Sequence, residues 1–291
     1  MRHRHRRKNT LNATVIVAAT LLCSSWNAVA QNKPETTEVR NDFAQNADFL
    51  QVGEQLTYEV SWWFVKLGTI RTKVLSQQGG GGDRHYSAIA YIDSYSGIPF
   101  ANLHAIFETT MDKECFSDSF VAREQDGAKW KITRYRFDRM RNKLFVENGT
   151  AESEVSNNVR IEKIDTIGIE SKSQDGLSLL FFARANVKSG KQYDVPTIIQ
   201  SSKGNTILNF HGNHTNVEID AAQYPVDVIE FNGEARFTGV FGLSGPFQGW
   251  FSNDAAQIPV KAKMKVILGS VTIELKRWER AGWSPPSYIP K

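Results

Sequence analysis

Apolar and polar residues alternate along much of this chain with a period of two, and this pattern constrains the fold more than any other feature. Leu56, Tyr58, Val60 and Trp62 alternate with Gln55, Thr57, Glu59 and Ser61, and the run from Ile258 to Leu268 sets Val260, Ala262, Met264 and Val266 against Lys261, Lys263 and Lys265. Side chains of an extended strand point alternately to opposite faces, so each run sends one row to a core and the other to water. Turn signals recur from Gly68 to Gly269 at spacings that suit an antiparallel meander better than alternating β and α units. Asn148-Gly149, between Lys143–Glu147 and Thr150–Val155, predicts a hairpin closed by a type I′ turn. Only Asp175–Arg184 argues for a helix, with Asp175 as its cap and Leu177, Leu180, Phe181 and Arg184 on one face. The expected fold is all-β: a many-stranded antiparallel sheet curled into an open or half-closed barrel, with one short helix against it.

The N-terminus carries a different signal. Arg2, Arg4, Arg6, Arg7 and Lys8 precede an apolar run, Ala13 to Leu22, which ends before the small-residue pattern Ala28-Val29-Ala30. These are the parts of a cleavable secretory signal, and the apolar run is shorter than the ~20 residues a membrane span needs. Residues 1–30 are therefore expected to be removed between Ala30 and Gln31, with no transmembrane segment left. Polar residues 31–49 read as a flexible leader, 50–280 as a single β domain, and 281–291, with three prolines, as a tail that can be neither helix nor central strand.

Removal of the signal changes the charge. The whole chain has 35 Lys+Arg against 31 Asp+Glu; five of the basic residues and none of the acids lie in residues 1–30, which leaves 30 against 31. No domain-wide basic surface remains, which excludes nucleic acid as the expected partner. Cys23 leaves with the signal, so Cys115 has no partner for an internal disulfide and reads as a small buried hydrophobe in a strand.

Catalytic constellations are sparse. The histidines beyond the signal are His85, His104, His211 and His214, and the spacing of the last two does not present both to one metal from a strand. There is no GxSxG elbow, no phosphate-binding glycine loop and no HExxH helix. Neither metal nor cofactor is expected. The basic stretch Lys129–Lys143 reads as a charged hairpin face or, alternatively, a surface for phosphate headgroups. Adjacent aromatics stand out: Trp62-Trp63, Phe181-Phe182 and Trp250-Phe251. On a strand such neighbours point to opposite faces, so one of Trp62 and Trp63, and one of Trp250 and Phe251, meets a second buried layer or lines a concave cavity for an apolar or amphiphilic molecule.

Gly53–Trp62, Leu67-Gly68-Thr69, Val121-Ala122-Arg123-Glu124, Asp175–Arg184, Trp250–Asp254, Ile258-Pro259-Val260 and Leu268-Gly269-Ser270 occur in this order, and together they resemble the bacterial domain-of-unknown-function family 3108. The resemblance spans about Gly53 to Leu275 and implies an exported envelope protein of a Gram-negative bacterium, with no catalytic residues to carry over. Phe181-Phe182 stands where tyrosines are expected and Asn253 where an acid is expected. The resulting expectation is a non-enzymatic periplasmic protein that binds a lipid-like envelope component. Its candidate ligand-binding residues are Trp62, Trp63, Arg123, Phe181, Arg184, Trp250 and Phe251. The alternatives are an envelope hydrolase, which would place a histidine beside an acid and a hydroxyl, and an outer-membrane-associated structural or assembly protein.

Overall fold

A computed structural model of the chain describes residues 49–98, 102–156, 158–237, 244–265 and 269–290. The signal segment with its Ala30–Gln31 junction, most of the leader, and the end of the alternating run at 266–268 lie outside the described residues. Strands β1 (Gln55–Trp62), β2 (Val65–Gln78), β3 (His85–Ser94), β4 (His104–Asp112), β5 (Ser117–Asp126), β6 (Lys129–Asp138), β7 (Lys143–Ala151) and β8 (Arg160–Gly168) precede helix α1 (Ser178–Asn186). Strands β9 (Gln192–Ile199), β10 (Ser202–Asn209), β11 (His214–Val217), β12 (Val226–Ala235), β13 (Gly245–Ser252), β14 (Pro259–Lys265) and β15 (Ser270–Glu279) follow it.

All fifteen strands belong to one antiparallel sheet in the order β8-β7-β6-β5-β4-β3-β2-β1-β15-β14-β13-β12-β10-β9, with β11 paired to β12 beside this path. The two halves of the chain meet where β1 pairs with β15. The sheet is open, because its edge strands β8 and β9 do not pair with each other. A short segment before α1 spans the seam instead. The Ser117 amide donates to the Ser173 carbonyl on one side, while Gln174 donates to Pro196 and accepts from Ile198 on the other. Pro196 fits there because an edge strand can lose one amide donor. The outer edge, β8, is protected differently: it is largely exposed and carries Arg160, Glu162, Lys163 and Asp165, which discourages pairing with another chain.

Helix α1 packs inside the curve of the sheet. Phe181 and Phe182 join one large cluster with side chains from β2 to β7, β9, β10, β12 and β13. A row of rings runs through it, Phe116–Phe182–Tyr193–Phe210–Phe231–Phe251, with successive centroids 5.1 to 5.9 Å apart. Asp175 does cap the helix. Its Oδ1 accepts from the amides of Leu177 and Ser178, and its Oδ2 accepts from the hydroxyls of Thr109 and Ser117, so the same carboxylate fixes the helix start to β4 and β5. Burial raises the Asp175 pKa against the opposing effect of these hydrogen bonds. A second cluster holds Leu56, Tyr58, Val228, Trp250, Val260 and Leu275, with Trp278 and Trp283 packed on it. The tail contributes here, hydrogen-bonding through Pro286 to Asp227 and through Tyr288 to Pro225.

Two local expectations are corrected. Asn148-Gly149 forms no hairpin turn; both residues lie inside β7, paired to β6 and β8. The pairing with β8 shifts register between them, and a Cβ on Gly149 would sit 2.4 Å from the Arg160 carbonyl oxygen. The glycine thus serves a bulge with close backbone approach, a role that Asn-Gly shares with the tight turn. Cys115 is fully buried as expected, but in the β4–β5 turn at φ +64° rather than in a strand. Gly149→Ala should cost about 1–3 kcal/mol of stability by overpacking. Urea unfolding measures this, and amide exchange should accelerate first in β8.

Candidate functional site

The seven candidate residues fall into four settings. Arg184 projects from α1 into the least accessible ion pair among the described residues: 1% exposed, it faces Glu54 at 3%. Its Nη1 and Nη2 donate to the two Glu54 carboxylate oxygens at 2.6 and 2.9 Å, and Nε and Nη2 donate to the Ala256 carbonyl at 3.0 and 2.8 Å. Arg280 also donates to Glu54, and the Phe49 ring lies 4.9 Å from the Arg184 guanidinium carbon. Nearby, burial pushes the Tyr58 phenol and the Cys115 thiol well above their ordinary pKa values. Such a thiol is protonated and inert.

Phe181 and Phe251 share the main core, and Trp250 lies in the second cluster, where its Nε1 donates to Glu230 at 3.2 Å. Both members of the 250–251 pair are thus buried, each against a different cluster. Arg123 lies on β5, partly exposed, and pairs with Glu108 of β4. Trp62 packs elsewhere, against the small cluster of Val60, Leu67 and Val271.

Trp62 and Trp63 do come together. Alternation would send them to opposite faces, but β1 ends at Trp62, and Trp63 enters the two-residue β1–β2 turn at φ +53°. The left-handed residue swings its ring back, so the indoles stack at 5.8 Å with 12° between planes. The other side of Trp63 rests on Gly269, where a Cβ would lie 1.9 Å from the indole Nε1. Trp63 is nonetheless 63% exposed, and Phe64 beside it is 87% exposed. Phe64 was not among the candidate residues; only its position at the apex of a two-residue turn marks it out.

The histidines pair with acids. His85 Nδ1 lies 2.7 Å from Asp118, with Asp83 at 3.3 Å from Nε2; His104 contacts Asp93 and Glu154; His214 contacts Asp227. No Ser, Thr or Tyr hydroxyl hydrogen-bonds to any of these three rings among the described residues. Nor does any group of three or more His, Cys, Asp or Glu side chains there suit a metal ion. The basic stretch is engaged with its own neighbours. Arg139 pairs with Asp112 and Asp118, Lys131 with Asp126, Arg134 with Glu147 and Arg141 with Asp138, while Arg136 lies over the Phe145 ring.

The sequence matches the family described as "Protein of unknown function (DUF3108)" over residues 57–276. The chain belongs to this family. No functionally curated protein matches it in sequence. Among solved structures it is similar to a β-barrel-like protein of domain of unknown function 1849 from Brucella abortus. The identity is 12% and the TM-score 0.48, over 78% of this chain and 97% of that one. A Bacteroides fragilis protein described as exported, with a YmcC-like fold, aligns at 9% identity and TM-score 0.35, over 79% and 97% of the two chains. None of the described helices is long and apolar enough to cross a membrane.

Removing one partner of a buried ion pair leaves the other charge stranded. Arg184→Met is expected to lower unfolding free energy by about 3–5 kcal/mol in urea titration, and Arg184→Lys should not restore it, because an ammonium cannot reproduce the two-pronged contact. His85 should impose a pH dependence. Partial burial lowers its pKa, but the hydrogen bonds and charges of Asp118 and Asp83 outweigh this and hold it above the ordinary 6.5. Protonation therefore favours the folded state, fully below about pH 6.5 and decreasingly as pH rises through the folded value. His85→Asn should be less stable than wild type at about pH 5.5 and equal to it at about pH 8.5, as thermal melts across that range would register.

Proposed function

We propose that this member of the family is an exported, non-enzymatic protein of the bacterial envelope that binds an apolar or amphiphilic component in the periplasm. The observation that carries this reading is the exposed Trp63–Phe64 apex. Two adjacent large aromatic side chains left exposed to water at the tip of a turn mark a contact surface. The acid-paired histidines support a non-catalytic reading, because general-base activation of a nucleophile needs a hydroxyl or thiol within hydrogen-bond reach. Export is supported by the basic head, short apolar run and Ala28-Val29-Ala30 pattern.

Two measurements test the proposal on protein expressed with its full N-terminus. The intact mass of the exported form should correspond to a chain starting at Gln31. After delipidation, lysophosphatidylethanolamine added below its micellar concentration should shift the tryptophan emission to the blue and give a bound species by native mass spectrometry. A chain that keeps residues 1–30 would refute export, and unchanged emission with no bound species would refute amphiphile binding.

A further inference from the structure

Strand β8 is an open edge of the sheet and pairs with β7 alone. It reads Arg-Ile-Glu-Lys-Ile-Asp-Thr-Ile-Gly from Arg160 to Gly168. Lys163 stands opposite Asn148 and Asp165 opposite Val146, a member of the main core, so both side chains point to the helix side of the sheet. There Lys163 Nζ lies 2.8 Å from the Asp165 carboxylate. Ile164, opposite Glu147, lies on the other face and is 65% exposed. The backbone groups of β8 that turn away from β7 meet no other strand among the described residues. About Ile164 the strand is matched in charge, a lysine on one side and an aspartate on the other.

We infer that β8 is a homodimerisation edge, pairing antiparallel with β8 of a second copy of the chain about a two-fold axis through Ile164. Residues directly opposite each other in an antiparallel ladder point to the same face, so the axis between two identical strands passes through a residue rather than between two. With the axis at Ile164, Lys163 of each copy meets Asp165 of the other, which gives two opposite-charge pairs on one face. Ile164 meets Ile164 on the other face and covers an apolar side chain that is otherwise exposed. The remaining charged residues, Arg160 and Glu162, fall opposite the uncharged stretch Thr166–Gly168. Moving the axis to Lys163 or Asp165 sets lysine against lysine or aspartate against aspartate, and like charges directly opposite are destabilising, so one register is selected. The charges that discourage an arbitrary strand from adding to this edge therefore match a second copy of β8. Such a contact is self-complementary, closes after two copies and continues one sheet into the other. A contact confined to one strand is small beside the ~800 Å² per partner of a standard interface, so a dissociation constant in the micromolar range is expected.

Sedimentation velocity on the exported protein, run across micromolar concentrations with circular dichroism to check the fold, tests the pairing. Wild type should form a dimer as its concentration rises. Lys163→Asp and Asp165→Lys should each associate at least about tenfold more weakly, because either reversal sets two like-charge pairs across the axis. An equimolar mixture of the two variants should regain the dimer, since a strand with two acids then faces a strand with two bases; damage to the fold of either variant could not produce this rescue. Phe64→Ser, which alters the exposed apex of the β1–β2 turn, should dimerise like wild type. A wild type that stays monomeric throughout, single variants that dimerise as well as wild type, or a mixture that stays monomeric would overturn the edge pairing. So would a dimer that is abolished by Phe64→Ser and indifferent to both charge reversals.

Discussion

The buried pair of Arg184 and Glu54 ties four separated parts of the chain together at one point. Taking two charges out of water costs several kcal/mol per ion, and the pair recovers this only when geometry is good and the remaining donors are satisfied. Both conditions hold. The guanidinium meets the carboxylate with two nitrogens, the Ala256 carbonyl accepts from the same group, and Arg280 reaches Glu54 from another direction. Residue 54 precedes β1, 184 lies in α1, 256 in the β13–β14 turn and 280 just beyond β15. The contact therefore fixes the helix to the junction where the first and last strands pair, the place where a sheet built from two halves of a chain could most easily separate.

This anchoring determines what the interior can do. A helix held there fills the curve of the sheet with Phe181, Phe182, Ala183 and Ala185, and the aromatic row continues from Phe182 through Tyr193 and Phe210 to Phe231. Rings packed at these separations favour a dense core over an open lumen. The residues that suggested a concave ligand site, Phe181, Trp250 and Phe251, belong to this packing or to the second cluster under the tail. Under the amphiphile-binding function proposed above, recognition would fall to the connections, where a rigid scaffold positions exposed side chains such as Trp63 and Phe64.

How much of this was legible in the sequence follows from the range of each signal. Period-two alternation is local, so strands such as Gln55–Trp62 could be read directly, as could the Asp175 cap, whose bonds reach only two and three residues ahead. Asn148-Gly149 misled because the local chemistry of a tight turn and of a bulge is the same; the choice depends on Arg160 of β8 approaching from outside the local sequence. Trp63 misled for a related reason. Alternation holds only while the strand lasts, and the strand ends one residue earlier, so the side chain obeys the turn. Arg184 read as a candidate ligand contact because its partner, Glu54, lies 130 residues away, a distance at which no spacing rule operates.

One face of the sheet, as far as it is described, packs on the helix, and the part of the other face around β1 and β12 to β15 is covered by the tail and the 217–225 segment. An antiparallel meander sorts its connections strictly, odd turns at one end and even turns at the other, so a difference in composition between alternate turns becomes a difference between two ends of the molecule. Here the β1–β2 turn presents exposed Trp63 and Phe64, whereas the β2–β3, β4–β5 and β13–β14 turns at the other end carry Asp83, Lys113, Glu114 and Asp254, so the strand topology sets aromatic and charged turns apart.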